Sequence, residues 1–193
     1  MDFFKDLEDI RHSFRRFAEK LPAKGALVIN SGIENLEEIT RGLACRIVTF
    51  GKDASSKYTA RNITYDAYAC PSYDLVVQGE EVGRITLGVP GEHNVYNSLA
   101  AAAAALELGL GMDGVLAGLK KFKGTDRRFE KKGEVGGVTI IDDYAHHPQE
   151  ILATLKAAEN YPHRKLWCVF QPHTYTRKKA ILDEFPQALT LAD

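Results

Sequence analysis

Apolar positions in the first segment recur at helical spacing: Leu7, Ile10, Phe14, Phe17 and Leu21 fall on one face, with Arg11, Arg15 and Arg16 elsewhere. Pro22 and Gly25 close that helix. "ALVIN" (Ala26–Asn30) reads as a short buried strand, and Asn35 can cap a helix carrying Leu36, Ile39 and Leu43. "RIVTF" (Arg46–Phe50) is a second strand, so the alternation predicts strand–helix–strand units and a parallel sheet. The pattern then changes. "YTARNITY" (Tyr58–Tyr65) alternates, and Tyr73–Leu87 reads as a hairpin turning near Gly79, which adds antiparallel strands.

Asn94 or Asn97 can cap the next helix, whose alanine run Ala100–Ala105 permits close packing. Asp113 starts another helix bearing Val115, Leu116, Leu119 and Phe122. "KFKGTDRR" reads as a basic linker, which places a boundary at about Gly124 and divides the chain into 1–123 and 124–193. Beyond it the rhythm resumes with "VTIID", a helix from Pro148, "KLWCVFQ" and a helix from about Thr176. The expected class is α/β: a mixed sheet with helices, followed by a smaller part with parallel strands.

Composition narrows the function classes. Apolar residues are 45% and charged residues 26% of 193, and the formal net charge is -1. No broad basic field points to nucleic acid or an anionic membrane. Cys45, Cys70 and Cys168 lie far apart without a C-x-x-C spacing, so they read as reduced thiols outside any disulfide or zinc framework. The N-terminus is charged from Asp2 and has no signal-peptide pattern, and the longest apolar run, Leu99–Leu106, is too short to span a bilayer. A soluble cytoplasmic protein is expected.

Two strand-to-helix junctions carry the titratable chemistry. At one, Val138–Ile141 leads into Asp142, Asp143, Tyr144, His146 and His147, with Pro148 suited to a first helical turn. At the other, Leu166–Phe170 leads into Gln171, Pro172, His173, Tyr175 and Arg177. If the two strands are parallel neighbours, both clusters sit at the carboxyl edge of one sheet, where open α/β sheets bind ligands and helix N-termini favour anions. Each residue also has a plainer reading. The aspartates and Asn94 can be caps, Arg127 and Arg128 solvated linker charges, Arg177 a helix-face charge, and the paired histidines metal ligands.

"PGEHNVYNSLAA", "GTDRRFE", "IDDYAHHPQEI" and "FQPHTYTR", in that order and spacing, resemble the Mur ligases of peptidoglycan synthesis. The likeness extends over essentially the whole chain and is strongest toward members that join L-alanine to UDP-N-acetylmuramate. That resemblance implies an ATP- and Mg-dependent ligation through an acyl phosphate, in a fold with a UDP-sugar domain, a central ATPase domain and a Rossmann-like C-terminal domain. It implies adenine contacts for Asn94 and Asn97, a phosphate contact for Arg128 and a ribose contact for Asp143. Tyr144, His146, His173 and Arg177 match the region that receives L-alanine, with Arg177 the partner for its carboxylate. Arg128, His146, His173 and Arg177 would be the catalytic set. An amide suits adenine's donor–acceptor edge, and a guanidinium binds phosphate or carboxylate bidentately. Thr174 stands where some members carry a second arginine.

The G-x-x-x-x-G-K-[ST] phosphate loop is absent. The resemblance places that loop, the magnesium ligands and the UDP-sugar domain upstream, with Met1 an internal methionine and "LTLAD" partway through the C-terminal domain. The chain is then expected to be the middle of a ligase more than twice its length, inactive alone. Two other readings remain: a non-catalytic nucleotide-binding or interaction module, and a metal-dependent hydrolase using Asp143, His146, His147 and His173.

Overall fold

The computed structural model describes residues 4–172 and 182–193. Helix α1 (Leu7–Ala18) precedes strand β1 (Ala26–Asn30), the short helix α2 (Leu36–Thr40) and β2 (Arg46–Phe50). Strands β3 (Tyr58–Tyr65), β4 (Pro71–Val77) and β5 (Glu80–Thr86) follow, then helices α3 (His93–Glu107) and α4 (Met112–Lys121). The second part holds β6 (Glu130–Val135), β7 (Val138–Asp142), α5 (Pro148–Glu159) and α6 (Glu184–Leu189).

β1 to β5 form one sheet in sequence order: β1–β2–β3 parallel, β3–β4–β5 antiparallel. The mixed α/β architecture is therefore the expected one. Parallel neighbours normally need a crossover of a dozen or more residues, yet β2 reaches β3 through loop 51–57. The register explains this: Phe50, the last residue of β2, pairs with Tyr58, the first of β3. The chain advances past β2 rather than returning alongside it. The β4–β5 hairpin turns on Gln78 and Gly79, both at positive φ (52° and 89°), where left-handed backbone matches the strand twist.

α3 lies across β1 to β4, with α4 beside it against β5. Val95, Leu99, Ala102 and Ala103 of α3 are fully buried against Tyr73, Leu75 and Ile85. The alanines let the helix axis approach the sheet, as the run of small residues predicts. Asn94 and Asn97, however, are not caps. Glu92 holds the N-cap position without a side-chain bond, and both asparagines stand inside the helix. Asn35 does occupy the N-cap of α2, in left-handed backbone and again without a capping side-chain bond.

α1 forms where predicted but ends at Ala18, which leaves Leu21 outside it; the Asp6 carboxylate accepts the Asp9 N–H at 2.8 Å, with acidic residues in the first turn and arginines in the last. Its inward face differs from the apolar stripe. Phe14 and Phe17 are 60% and 69% exposed, while Ala18 is buried. The short helix α2 needs donors for its last carbonyls. Arg15 Nη1 supplies them, reaching Glu38 O at 3.2 Å and Arg41 O at 2.9 Å.

Glu107 ends α3, where the helix dipole disfavours a carboxylate. Three partners offset this: the Lys57 ammonium, the Tyr58 hydroxyl at 2.8 Å and Arg46 Nη1 at 2.7 Å. The Lys57 hydrogen bond dominates, and together with Tyr58 and Arg46 it outweighs burial and holds the Glu107 carboxyl down at about 2, against an ordinary 4.5. A depressed folded-state value stabilises the fold above pH 4.5, and that contribution drains away as pH falls toward 2. The ceiling is about 3 kcal/mol, which solvent screening reduces to about 1–2 kcal/mol. Urea unfolding at pH 6 and pH 3 is expected to show Glu107→Gln losing about 1–2 kcal/mol less on acidification than the parent chain.

In the second part β6 and β7 form an antiparallel hairpin over Gly136 and Gly137 (φ 58° and 79°). The expected parallel pairing of Val138–Ile141 with Leu166–Phe170 is not present. Among the described residues β7 pairs with β6 only, and Leu166–Phe170 joins no ladder. The backbone of Leu166 is taken by the chain end: its N–H donates to Asp193 Oδ2 at 2.7 Å, and its carbonyl accepts from Asp193 N at 2.9 Å. Leu166 and Phe170 pack toward α5 and α6, with the Phe170 and Phe185 rings stacked at 5.4 Å, whereas Trp167 and Val169 face solvent. The helix expected from about Thr176 begins outside the described residues.

Candidate functional site

α5 starts where β7 hands the chain to a polar turn. Pro148 occupies the first turn, which has no use for its missing N–H. His147 is the N-cap, its Nδ1 accepting from Gln149 N at 3.3 Å, and Glu150 Oε2 accepts from His147 N at 3.2 Å and His146 N at 3.0 Å. Asp143 ties this turn to the linker. Its Oδ1 accepts from Ala145 N at 2.7 Å and its Oδ2 from Phe129 N at 2.8 Å, while Tyr144 N donates to Arg127 O at 2.8 Å. Arg127 and Phe129 both sit at positive φ (59° and 46°), a conformation uncommon outside glycine and costing about 1 kcal/mol or more each. Asp143 helps hold that backbone in place.

The linker arginines are not solvated charges alone. Arg127 Cζ lies 4.5 Å from the Tyr144 ring centroid, and Tyr144 in turn meets the His146 ring at 5.3 Å. Arg127 Nε also approaches Asp142 Oδ2 at 3.9 Å, the distance at which Arg128 Nη1 faces Glu150 Oε1. Asp143, Tyr144, His146 and Arg128 are thus brought together around the start of α5. His173 and Arg177 lie outside the described residues, as does Thr174. Among the described residues no group of three or more His, Cys, Asp or Glu side chains could hold a metal ion.

The first part meets this turn through α3. Asn94 Nδ2 donates to Pro90 O at 2.8 Å, and Asn97 Nδ2 to Asn94 Oδ1 at 3.0 Å, so the two amides form one hydrogen-bonded unit at the helix start. His93 beside them is a site residue that the sequence reading passed over. It is mostly buried, and desolvation pushes its pKa below the ordinary value; Asp143 opposes that shift and Arg128 reinforces it. The ring is therefore neutral near pH 7 and lies within electrostatic reach of both. Gly91 (φ +95°) makes the approach possible: a Cβ there would come within 2.7 Å of the His93 ring and 3.1 Å of Ala157 Cβ in α5. Tyr68, from the β3–β4 loop, and Phe129 both pack on Tyr161 with centroids at 5.5 and 5.9 Å.

Fold and site together define a two-part α/β chain in which the start of α3, through His93, comes within electrostatic reach of Asp143 and Arg128. The Mur ligase middle domain matches residues 1–105, and the Mur ligase glutamate ligase domain matches residues 127–193. The chain belongs to the Mur ligase family. A UDP-N-acetylmuramate–L-alanine ligase from Lachnospira eligens is 56% identical over the whole chain, which spans 42% of that relative's length. The crystal structure of a UDP-N-acetylmuramate–alanine ligase from Thermotoga maritima superposes with a TM-score of 0.77 at 29% identity, covering 98% of this chain and 40% of that one. A MurF ligase from Thermotoga maritima in complex with ADP shares the fold at a TM-score of 0.81 and 19% identity, covering 99% of this chain and 44% of its own.

Proposed function

We propose that this chain is the central and following part of an ATP-dependent ligase that joins L-alanine to UDP-N-acetylmuramate in cytoplasmic peptidoglycan precursor synthesis. The observation that carries the reading is the 56% identity, over the whole of this chain and 42% of the relative, to a protein named for that reaction. The γ-phosphoryl group of ATP would pass to the muramyl carboxylate with release of ADP, the alanine amine would displace phosphate from the resulting acyl phosphate, and a bound magnesium would neutralise the ATP phosphates. No residue of this chain is assigned to the magnesium. Residues 1–123 are the ATP-binding part and 124–193 the amino-acid-binding part.

Asn94 and Asn97 hold the adenine: their amides are already paired and oriented at the start of α3. Asp143 holds the ribose, and Arg128 faces the phosphates, where a guanidinium offers paired donors. Tyr144 and His146 line the alanine side with His173 and Arg177, Arg177 taking the carboxylate. Among the described residues no helix is long and apolar enough to cross a membrane. The test is ATP hydrolysis by the full-length protein with UDP-N-acetylmuramate. Hydrolysis is expected to depend on L-alanine, and equal rates with glutamate or a peptide in its place would refute the substrate assignment.

A further inference from the structure

We propose that Glu150 is a positioning residue that holds Arg128 and His146 in one frame, so that the phosphate-facing and amino-acid-facing groups are set together. The proposal rests on the ligase reading above. Glu150 is the third residue of α5, and its ordinary role there is to complete a capping box with His147. That role uses one oxygen. Oε2 accepts the N–H groups of His146 and His147 and stands 3.3 Å from His146 Nδ1, which also lies 3.0 Å from Tyr144 O. His146 is therefore held to Glu150 through its backbone N–H, and its Nδ1 stands between the Tyr144 carbonyl and the same carboxylate oxygen.

The other oxygen, Oε1, is not needed for capping and faces Arg128 Nη1 at 3.9 Å. Arg128 is half-exposed, and Glu150 is the carboxylate within ion-pair distance of it among the described residues. One carboxylate thus divides its oxygens between the two sides of the reaction. Burial alone would raise the Glu150 pKa, but the His146 and His147 N–H donors and the nearby positive charges lower it, so it is ionised at neutral pH. Asp143, bonded to Phe129 N, fixes the backbone on the far side of Arg128, which leaves the guanidinium's direction to Glu150.

Glutamine serves a capping box as well as glutamate does, so Glu150→Gln keeps the cap and removes the charge. In the full-length protein this variant is expected to melt within about 1 °C of wild type. Its kcat should fall about tenfold and its KM for the amino acid rise about threefold, with the KM for ATP rising no more than about threefold. Glu150→Ala, which loses the cap too, should also melt lower. Wild-type kinetics in the glutamine variant would make Glu150 a cap only and overturn the proposal, as would a kinetic loss matched by an equal fall in melting temperature. A double-mutant cycle on ADP affinity is independent of the amino acid. Glu150→Gln should weaken ADP about two- to threefold when Arg128 is present and leave it unchanged when Arg128 is alanine. Additive effects would overturn the coupling. Non-additive effects in a protein that ignores alanine would remove the substrate assignment and leave Glu150 in its role.

Discussion

Asp143→Ala in the full-length protein is expected to lower kcat/KM by at least about 10²-fold, the cost of displacing catalytic groups by about an ångström. Both oxygens of Asp143 are already committed, to Phe129 N across the linker and to Ala145 N in the turn before α5. Removing them strands two backbone donors, at about 1–3 kcal/mol each where water is excluded, and frees Phe129 from an unfavourable left-handed conformation. Arg128, one residue earlier, moves with it. The field at His93 changes as well, because Asp143 opposes the lowering of its pKa by burial. Asp143→Asn separates scaffold from ligand contact. Its single side-chain oxygen can keep one of the two N–H bonds, so amide hydrogen exchange should accelerate at either Phe129 or Ala145, and at both in the alanine variant. Turnover within about threefold of wild type in Asp143→Ala would show that neither the join nor a ribose contact depends on this carboxylate.

The first part of the fold was legible because local pattern and tertiary role coincide there. The β1–α2–β2 unit, the hairpin at Gly79 and the alanine packing of α3 each follow from periodicity and turn chemistry, and none needs a distant partner to be recognised. The second part was harder. β6 is hidden in a charged stretch, "EKKGEV", whose side chains are polar because most of them face solvent. The Gly136–Gly137 pair between Val135 and Val138 was the available hairpin signal. Leu166–Phe170 reads as an apolar strand, but only its ends, Leu166 and Phe170, turn inward while Trp167, Cys168 and Val169 are exposed, and an apolar run alone does not supply a ladder.

The candidate site was legible by residue type and not by reason. Asp143, His146 and Arg128 do gather, yet they do so through the linker and the start of α5, not along a shared edge of parallel strands. His93 and Glu150 escaped notice because each looks like a local helix-end residue: His93 until Asp143 and Arg128 of the second part approach it, Glu150 until the linker brings Arg128 beside it. Sequence spacing carries no information about which side of a cap a second domain will approach.

Leu99→Ala tests how firmly the Asn94–Asn97 amide pair depends on the sheet beneath it. Leu99 is completely buried where α3 packs on the sheet, between Val95 and Ala102–Ala103 on the same face. The neighbouring alanines cannot extend into the space that a lost isobutyl group leaves, so the site should collapse poorly. The cost belongs in the upper part of the range for such truncations, about 3–5 kcal/mol. Phe17→Ala, at a 69% exposed ring, should change stability by no more than about 0.5 kcal/mol. Urea unfolding of the two variants beside the parent chain measures that contrast, with an unchanged m-value expected for both. Asn94 and Asn97 lie on the same helix, within two turns of Leu99. If the sheet fixes them, ADP affinity in the full-length Leu99→Ala protein should weaken at temperatures where the protein is still folded. A Leu99→Ala cost below about 1 kcal/mol would mean that α3 is held chiefly by its ends, with Glu107 locked to Lys57 and Arg46 at one and the Asn94–Pro90 bond at the other.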